Sequence, residues 1–291
     1  MGVFMITGRT KLFCIVADPI AHVKTPEMFN AHLDRSGIDA VLVPVHVTPE
    51  GLAEVVRGLR DVSNLRGIVV TVPHKISILD LCDDLHSSAG MVGAANILRR
   101  GPDGRLTGAN FDGIGFRRSL EDAMGSIAGK SVYLAGAGGV ARAIAFSMAE
   151  AGVSRLSVYN RSREKGEELL AAISDRFPAV ATSLSSDTPQ GFDIAINATS
   201  LGLKPDDNLP FTVDALSQQA VVADVVMEPI MTGLLLAAQK RGLQIVTGDA
   251  MLMFQLQSWV EFIEDCPSLG AMPNLPKRTE PPAAANGIGY A

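Results

Sequence analysis

Short apolar runs alternate with amphipathic stretches along most of the chain, the pattern of strand–helix–strand units in which helices cross between strands of a largely parallel sheet. Residues 12–16 form the first such run and predict a strand. Thr25-Pro26 opens a helix with proline at its first position, where the missing N–H is not needed, and Gly37 closes it. A second strand is expected over 41–45, a helix from Pro49 to about residue 59, and a buried strand over 67–72 that Pro73 ends. Residues 95–99 and 106–109 flank Pro102-Asp103-Gly104 and read as a hairpin. A helix over 113–125 leads into a second series, with strands over 131–135, 156–159, 192–197, 221–225 and 244–247 and helices over 141–151, 232–240 and 250–264. The fold class is therefore α/β.

Between the strand at 131–135 and its helix stands Gly136-Ala137-Gly138-Gly139-Val140-Ala141. Gly136 permits a tight turn, Gly138 lets backbone approach a pyrophosphate, and Ala141 takes the place of the third glycine where helix packs on strand. The helix then offers unpaired N–H groups and its positive dipole end to phosphate. The plain alternative is a structural turn in an unrelated parallel sheet, but the strand, turn and helix context favours a dinucleotide site. After the next strand, a cofactor with a free ribose 2′-hydroxyl would favour an acidic residue. This chain has Asn160-Arg161-Ser162-Arg163, with Lys165 close by. Guanidinium and hydroxyl donors suit a 2′-phosphate, so NADP is expected, with NAD as the second choice. The competing reading makes these bases a solvated helix start interleaved with Glu164, Glu167 and Glu168.

A chain of 291 residues accommodates two such domains. Its formal charge of −6 gives no basic surface for nucleic acid. Nowhere do apolar residues run long enough to span a bilayer, so no membrane partner and a cytoplasmic location are expected. Cys14, Cys82 and Cys266 are widely spaced and odd in number. They read as buried small hydrophobes rather than a disulfide framework or metal site, and no metal is expected.

Lys75 follows the buried strand at 67–72, where a desolvated ammonium can exchange its proton near neutral pH. Asp112, after the hairpin, is a carboxylate that can orient it. On residues alone a surface pair is the commoner arrangement. His22 and His74 each adjoin a motif and read as hydrogen-bonded structural residues. Met251, Met253, Phe254 and Trp259 on the last helix read as packing, with Gln255 as the polar exception.

Several segments occur together and in order: Asp18-Pro19-Ile20 with His22 and Pro26, Thr71-Val72-Pro73-His74-Lys75, Gly93-Ala94-Ala95-Asn96, Asn110-Phe111-Asp112-Gly113, the glycine turn at 136–139, Asn160-Arg161-Ser162, Asn197-Ala198-Thr199-Ser200-Leu201-Gly202, and Gly248-Asp249-Ala250-Met251-Leu252 with Gln255. Over residues 10–263 the chain thus resembles the shikimate dehydrogenase family. The resemblance implies an N-terminal α/β substrate domain over 1–112, a Rossmann domain over 113–249, and a helix over 250–265 that returns to the first domain. Residues 266–291, which lack periodicity, are expected as a loosely ordered tail. By the same resemblance Lys75 and Asp112 fall on the catalytic pair and Thr71, Asn96 and Gln255 on substrate-binding positions. Gly136, Ala137, Gly138, Gly139, Val140, Asn160, Arg161, Ser162, Lys165, Val225 and Gly248 fall on cofactor positions.

Four departures bear on the substrate. The family's His-Ser-x-Ser-Pro segment reads His22-Val23-Lys24-Thr25-Pro26, which leaves Thr25 as the one hydroxyl able to hold substrate. Val69, Phe111 and Met227 stand where family members carry Asn, Thr and Tyr. Each change removes a hydrogen-bonding group, and burying a hydroxyl or carboxylate without its partner is unfavourable by about 1–3 kcal/mol per lost bond. The expectation is an NADP-dependent oxidoreductase that interconverts a ring hydroxyl and a ketone on a small alicyclic hydroxy acid or ketone, with shikimate a poor substrate. An ordinary shikimate or quinate dehydrogenase, or a non-catalytic binding protein that kept the cofactor site, is the alternative. A homodimer is compatible with the sequence.

Overall fold

The computed structural model describes residues 5–21 and 23–264. His22, Cys266 and the 266–291 stretch lie outside the described residues. The first half of the chain forms β1 (Lys11–Ala17), α1 (Thr25–Arg35), β2 (Ala40–His46), α2 (Leu52–Arg60), β3 (Leu65–Val70), β4 (Asp84–Leu85), α3 (Ser87–Val92), β5 (Ile97–Arg100) and β6 (Leu106–Ala109). The strands make one six-stranded sheet in the order β2-β1-β3-β5-β6-β4. β1 is parallel to β2 and β3, whereas β5 runs antiparallel to both of its neighbours, β3 and β6.

After α4 (Asp112–Met124) come β7 (Ser131–Ala135), α5 (Gly139–Glu150), β8 (Arg155–Tyr159), α6 (Arg163–Arg176), β9 (Ala181–Leu184), β10 (Ile194–Asn197), β11 (Val221–Asp224), α7 (Gly233–Lys240) and β12 (Gln244–Val246). Their sheet runs β12-β11-β10-β7-β8-β9 and is parallel throughout. Numbered from β7, this is the 3-2-1-4-5-6 order of a Rossmann fold, whose reversal point lies between β7 and β10. Ligands collect outside the strand ends at that point. No helix among the described residues is long and apolar enough to cross a membrane.

The last helix, α8 (Gly248–Glu264), belongs to both cores. Ala250 and Met251 pack with the second sheet's cluster, while Leu252, Leu256, Trp259 and Val260 pack with Phe13, Phe29 and Leu42 of the first. Each large apolar side chain buried in this way contributes about 1.5–3 kcal/mol. α4 lies between α5 and α8 because two of its positions carry no side chain. A Cβ on Gly113 would sit 2.0 Å from the Ala143 carbonyl oxygen, and one on Gly115 would sit 2.5 Å from Gln255 Cγ. Arg118 fastens the α4–α8 crossing through Ser258 Oγ at 3.1 Å and Glu261 at 3.0 Å.

Some local expectations shift. β3 ends at Val70, and Val72 is 64% exposed, because the residue before Pro73 leaves the ladder and starts the loop that carries Lys75. α3 has no apolar period to announce it. It is capped by the His86 ring, which accepts from Ser88 N–H, and it stops at Gly93, whose φ of 72° is left-handed. β9 is a short, half-exposed edge strand. Cys14 is buried, and burial pushes its thiol up to about 12, as befits a packing residue. Cys82 is only partly buried and donates to the Ile78 carbonyl at 3.3 Å.

Candidate active site

The loop after β3 and the first turn of α4 meet at one ion pair. Lys75 Nζ lies 2.7 Å from Asp112 Oδ2. The carboxylate is 4% exposed and stands at the N-terminus of α4, where the helix dipole favours negative charge. Its other oxygen accepts from Asn96 Nδ2 and from Gln255 Nε2, each at 2.9 Å. Asn96 Oδ1 in turn accepts the Phe111 N–H at 3.0 Å, and Asn110 Oδ1 accepts the Asp112 N–H at 3.0 Å. Asp112 is therefore held by three donors from three elements. Lys75 donates one of its three N–H bonds to it and has the others to offer.

These groups open onto a cavity of about 170 Å³, roughly the volume of six waters. Thr25, Thr71, Lys75, Asn96, Asp112 and Gln255 supply its polar lining. The apolar wall is formed by Ile15, Val69, Met227, Met251, Leu252 and Trp259, with Val140 and Val225 on the second sheet's side. Every catalytic or substrate position read from the sequence thus borders a single space, together with two of the cofactor positions. Among the described residues Lys75 is the only cation of that lining, and Asp112 already engages it.

The turn from β7 into α5 has the shape a pyrophosphate requires. Gly136 adopts φ of 114°, and a Cβ there would lie 2.7 Å from the Ala198 carbonyl oxygen, so only glycine fits. Ala137 is half-buried behind it. Added Cβ atoms on Gly138 and Gly139 would meet no protein atom within 4 Å. Protein packing does not demand glycine at these two positions, whereas a ligand lying against the backbone would. No side chain caps α5, which leaves its first N–H groups for an anion. Asn160 Nδ2 donates to the Ser162 carbonyl at 2.7 Å and shapes the loop after β8. Arg161 on that loop and Lys165 in the first turn of α6 are exposed and make no ion pair among the described residues, whereas Arg163 is taken by Glu167 at 2.8 Å. The residues present fit a dinucleotide with a 2′-phosphate.

Gly248 reaches the site through backbone packing. A Cβ on it would lie 2.4 Å from the Val226 carbonyl oxygen, so the start of α8 presses directly on the segment that carries Val225. Beneath that segment Asp224 is fully buried and accepts from Asn197 Nδ2 at 2.9 Å, Val226 N–H at 3.0 Å and the Thr232 hydroxyl at 2.7 Å. Burial holds its carboxyl above the usual carboxylate range, against the opposing effect of those bonds.

Two of the four substrate-related departures do not face the cavity. The Phe111 ring packs on Phe262 at 5.5 Å and on His86 at 6.0 Å, and Val23 packs against the first sheet's core. Phe111 therefore adds no bulk beside a substrate, since the following Asp112 turns the opposite way into the site. Val69 and Met227 do line the cavity. Lys24 lies 4.0 Å from Glu228 across the cleft, an exposed pair of small energetic weight. His74 is buried with its Nε2 2.7 Å from the Val47 carbonyl, the structural bond expected for it. Sequence reasoning missed the cavity roles of Ile15, Leu252 and Trp259, because an apolar residue in a periodic element carries no sign of which wall it forms.

Models of two families match the chain: the shikimate dehydrogenase substrate binding domain over residues 15–98 and shikimate / quinate 5-dehydrogenase over residues 118–203. The chain is 38% identical over 268 residues to the shikimate dehydrogenase (NADP(+)) of Lysinibacillus sphaericus, an overlap of 90% of this chain and 95% of that one. Among solved structures, the 5-ketofructose reductase of Gluconobacter sp. strain CHM43 superposes with a TM-score of 0.83 at 35% identity, covering 88% of this chain and 93% of the other. The shikimate 5-dehydrogenase from Listeria monocytogenes, solved with shikimate and NAD, gives 0.81 at 33% identity, with 92% and 95% covered.

Proposed function

The chain belongs to the shikimate dehydrogenase family, and on that premise we propose that it is an NADP-dependent oxidoreductase acting on a small polyhydroxylated ring compound that carries no carboxylate anchor. The carrying observation is the lining of the cavity, whose only cation among the described residues is already paired with Asp112. Val69 and Met227 offer a ring carboxylate no hydrogen bond, so it would be desolvated with too few partners. Hydroxyl and carbonyl oxygens, in contrast, suit Thr25, Thr71, Asn96 and Lys75. We assign residues 1–112 to the substrate, 113–249 to the cofactor, and 250–265 to closing the first domain.

The nicotinamide, when bound, supplies or takes up the hydride. Lys75 hands a proton to the oxygen of the carbonyl as it is reduced, and takes one from the hydroxyl in the oxidative direction. Asp112 keeps the ammonium aimed and balances its charge, while Asn96 and Gln255 keep the carboxylate from rotating. Val140 and Val225 leave a dry surface beside the reacting carbon. Gly136, Gly138 and Gly139 receive the pyrophosphate, and Arg161, Ser162 and Lys165 receive the 2′-phosphate.

A second reading, an ordinary shikimate dehydrogenase, is favoured by the identity to the Lysinibacillus enzyme and by the hydroxyls of Thr25 and Thr71. Steady-state rates followed at the nicotinamide absorbance separate the two readings, with shikimate and NADP in one arm and the uncharged 5-ketofructose and NADPH in the other. The expected outcome is a kcat/KM of about 10⁴ M⁻¹s⁻¹ or more for the uncharged compound. Shikimate at that level, with the uncharged compound far below it, would establish the second reading and remove the first.

A further inference from the structure

α3 has six residues and buries only Ser88 and Ala89. A helix of that length is not stable by itself, so its position depends on what its ends touch. At its C-terminal end the contact comes from the other sheet's unit, through Arg142 near the start of α5. The Arg142 Nε donates to the Val92 carbonyl at 3.1 Å, and its Nη2 reaches the Met91 carbonyl at 3.5 Å. The last carbonyls of a helix have no partner within it and carry the negative end of its dipole, so a guanidinium suits them. The same guanidinium lies over the Phe146 ring at 5.0 Å, one turn along α5, and it makes no ion pair with a carboxylate among the described residues. Its charge is committed to α3.

Residues 93–96 follow α3 directly, and they hold both members of the ion pair. The Ala95 N–H donates to the Lys75 carbonyl at 2.8 Å, and the Asn96 N–H donates to the Ala109 carbonyl at 2.9 Å. Asn96 Nδ2 holds Asp112 Oδ1 at 2.9 Å. We propose that Arg142 is a positioning residue for proton transfer: it fixes the end of α3 and, through residues 93–96, sets the alignment of Lys75 with Asp112. The proposal rests on the reading of that pair as the proton-transfer site. Arg142 is not part of the cavity lining, so it acts through the Val92 carbonyl and not by touching a reactant. Its own N–H bonds the Gly138 carbonyl at 2.8 Å. The turn suited to a pyrophosphate and the arm that holds α3 thus belong to one piece of helix, and the cofactor turn and the ion pair share a support.

The experiment measures kcat, KM and NADP binding for the unmodified protein, Arg142→Met, Arg142→Lys, Asn96→Ala and the double variant of Arg142→Met with Asn96→Ala. The substrates are 5-ketofructose with NADPH and, separately, shikimate with NADP. Methionine keeps an apolar stem over Phe146 and removes the donors. Arg142→Met is expected to lower kcat roughly 3- to 10-fold, with substrate KM and NADP affinity nearly unchanged. Arg142→Lys, which keeps one charged donor, should recover most of that loss. In the Asn96→Ala background the loss should shrink, because the link from this segment to Asp112 is already cut. Hydrogen exchange read by mass spectrometry needs no substrate, and in Arg142→Met it should speed up over residues 93–96 while β7 keeps its rate. An equal loss of kcat in both backgrounds, which a packing tie alone would give, overturns the proposal, as does unaltered exchange over 93–96. A weaker hold on NADP with kcat unchanged overturns it too, since Arg142 would then be a phosphate ligand. In each of these cases the reading of the ion pair stands. If the unmodified protein turns over neither compound, that reading falls and the positioning role falls with it.

Discussion

Gln255 and Asp112 are separated by 143 positions in sequence, yet Gln255 Nε2 donates to Asp112 Oδ1 at 2.9 Å. The carboxylate paired with Lys75 is thus held across a long stretch of sequence, and the α4–α8 crossing belongs to the candidate site as much as the loop after β3 does. That dependence makes the helix contact testable through catalysis.

Gly115→Ala is expected to separate the two helices, because the new Cβ would lie 2.5 Å from Gln255 Cγ and 2.9 Å from the Met251 carbonyl oxygen. Overpacking of this kind lowers stability by about 1–3 kcal/mol. Urea unfolding together with kcat/KM checks it: both should fall, whereas NADP affinity should hold. A variant with normal activity would show that Gln255 keeps its bond despite the displacement.

Removing the ammonium isolates proton transfer. Lys75→Ala should reduce turnover by roughly 100-fold or more, the usual contribution of a positioned acid–base group, with cofactor affinity preserved. Single-turnover rates and NADPH binding, measured side by side, would reveal a purely structural lysine as an unchanged rate.

Arg161 is exposed and unpaired among the described residues, which leaves its guanidinium for a 2′-phosphate. Arg161→Ala should weaken NADP by about 1.5–3 kcal/mol, the worth of a bond to a charged group, with NAD affinity nearly unchanged. Calorimetric titration with both cofactors distinguishes this from a general loosening of the loop, in which both affinities would drop together.

Burial raises the Asp224 carboxyl above the usual carboxylate range. The folded state therefore keeps this proton to higher pH than the unfolded chain does. The associated stabilisation is fully present below the unfolded value of about 3.9 and is lost as pH rises through the raised one. Asp224→Asn has no such proton to lose. Its unfolding free energy relative to the unmodified protein should rise as pH climbs from the unfolded carboxylate value through the raised one of the folded state. A pH-independent difference would mean that the carboxylate ionises as readily inside as outside.

The parts of this architecture that are legible in the sequence are those that local chemistry enforces. Gly136 reads as a turn because its φ excludes other residues, and the strands β7, β8 and β11 announce themselves as apolar runs bounded by turns. The matched motifs led to Lys75 and Asp112, and the fold brings them together at 2.7 Å. Illegible residues are those whose meaning depends on orientation. Phe111 and Asp112 are adjacent, yet one packs on Phe262 and the other lines the cavity. Trp259 fits a helical apolar stripe whether it fills a core or borders a cavity, and only the fold shows that it does both. α3 was hidden for a different reason. Its start and stop are set by the His86 side chain and by Gly93 rather than by an apolar face.

The return of α8 has a consequence for how the molecule is made. A ribosome delivers β1, β2 and α1 early, but the face formed by Phe13, Phe29 and Leu42 waits for Leu256 and Trp259 before it is covered. The second unit can close its own sheet before α8 arrives, whereas the first emerges with an uncovered apolar surface throughout most of translation. The candidate site is therefore complete only once α8 has been made, and a chain that stalls before residue 255 carries Lys75 and Asp112 without the amide that holds Asp112 Oδ1.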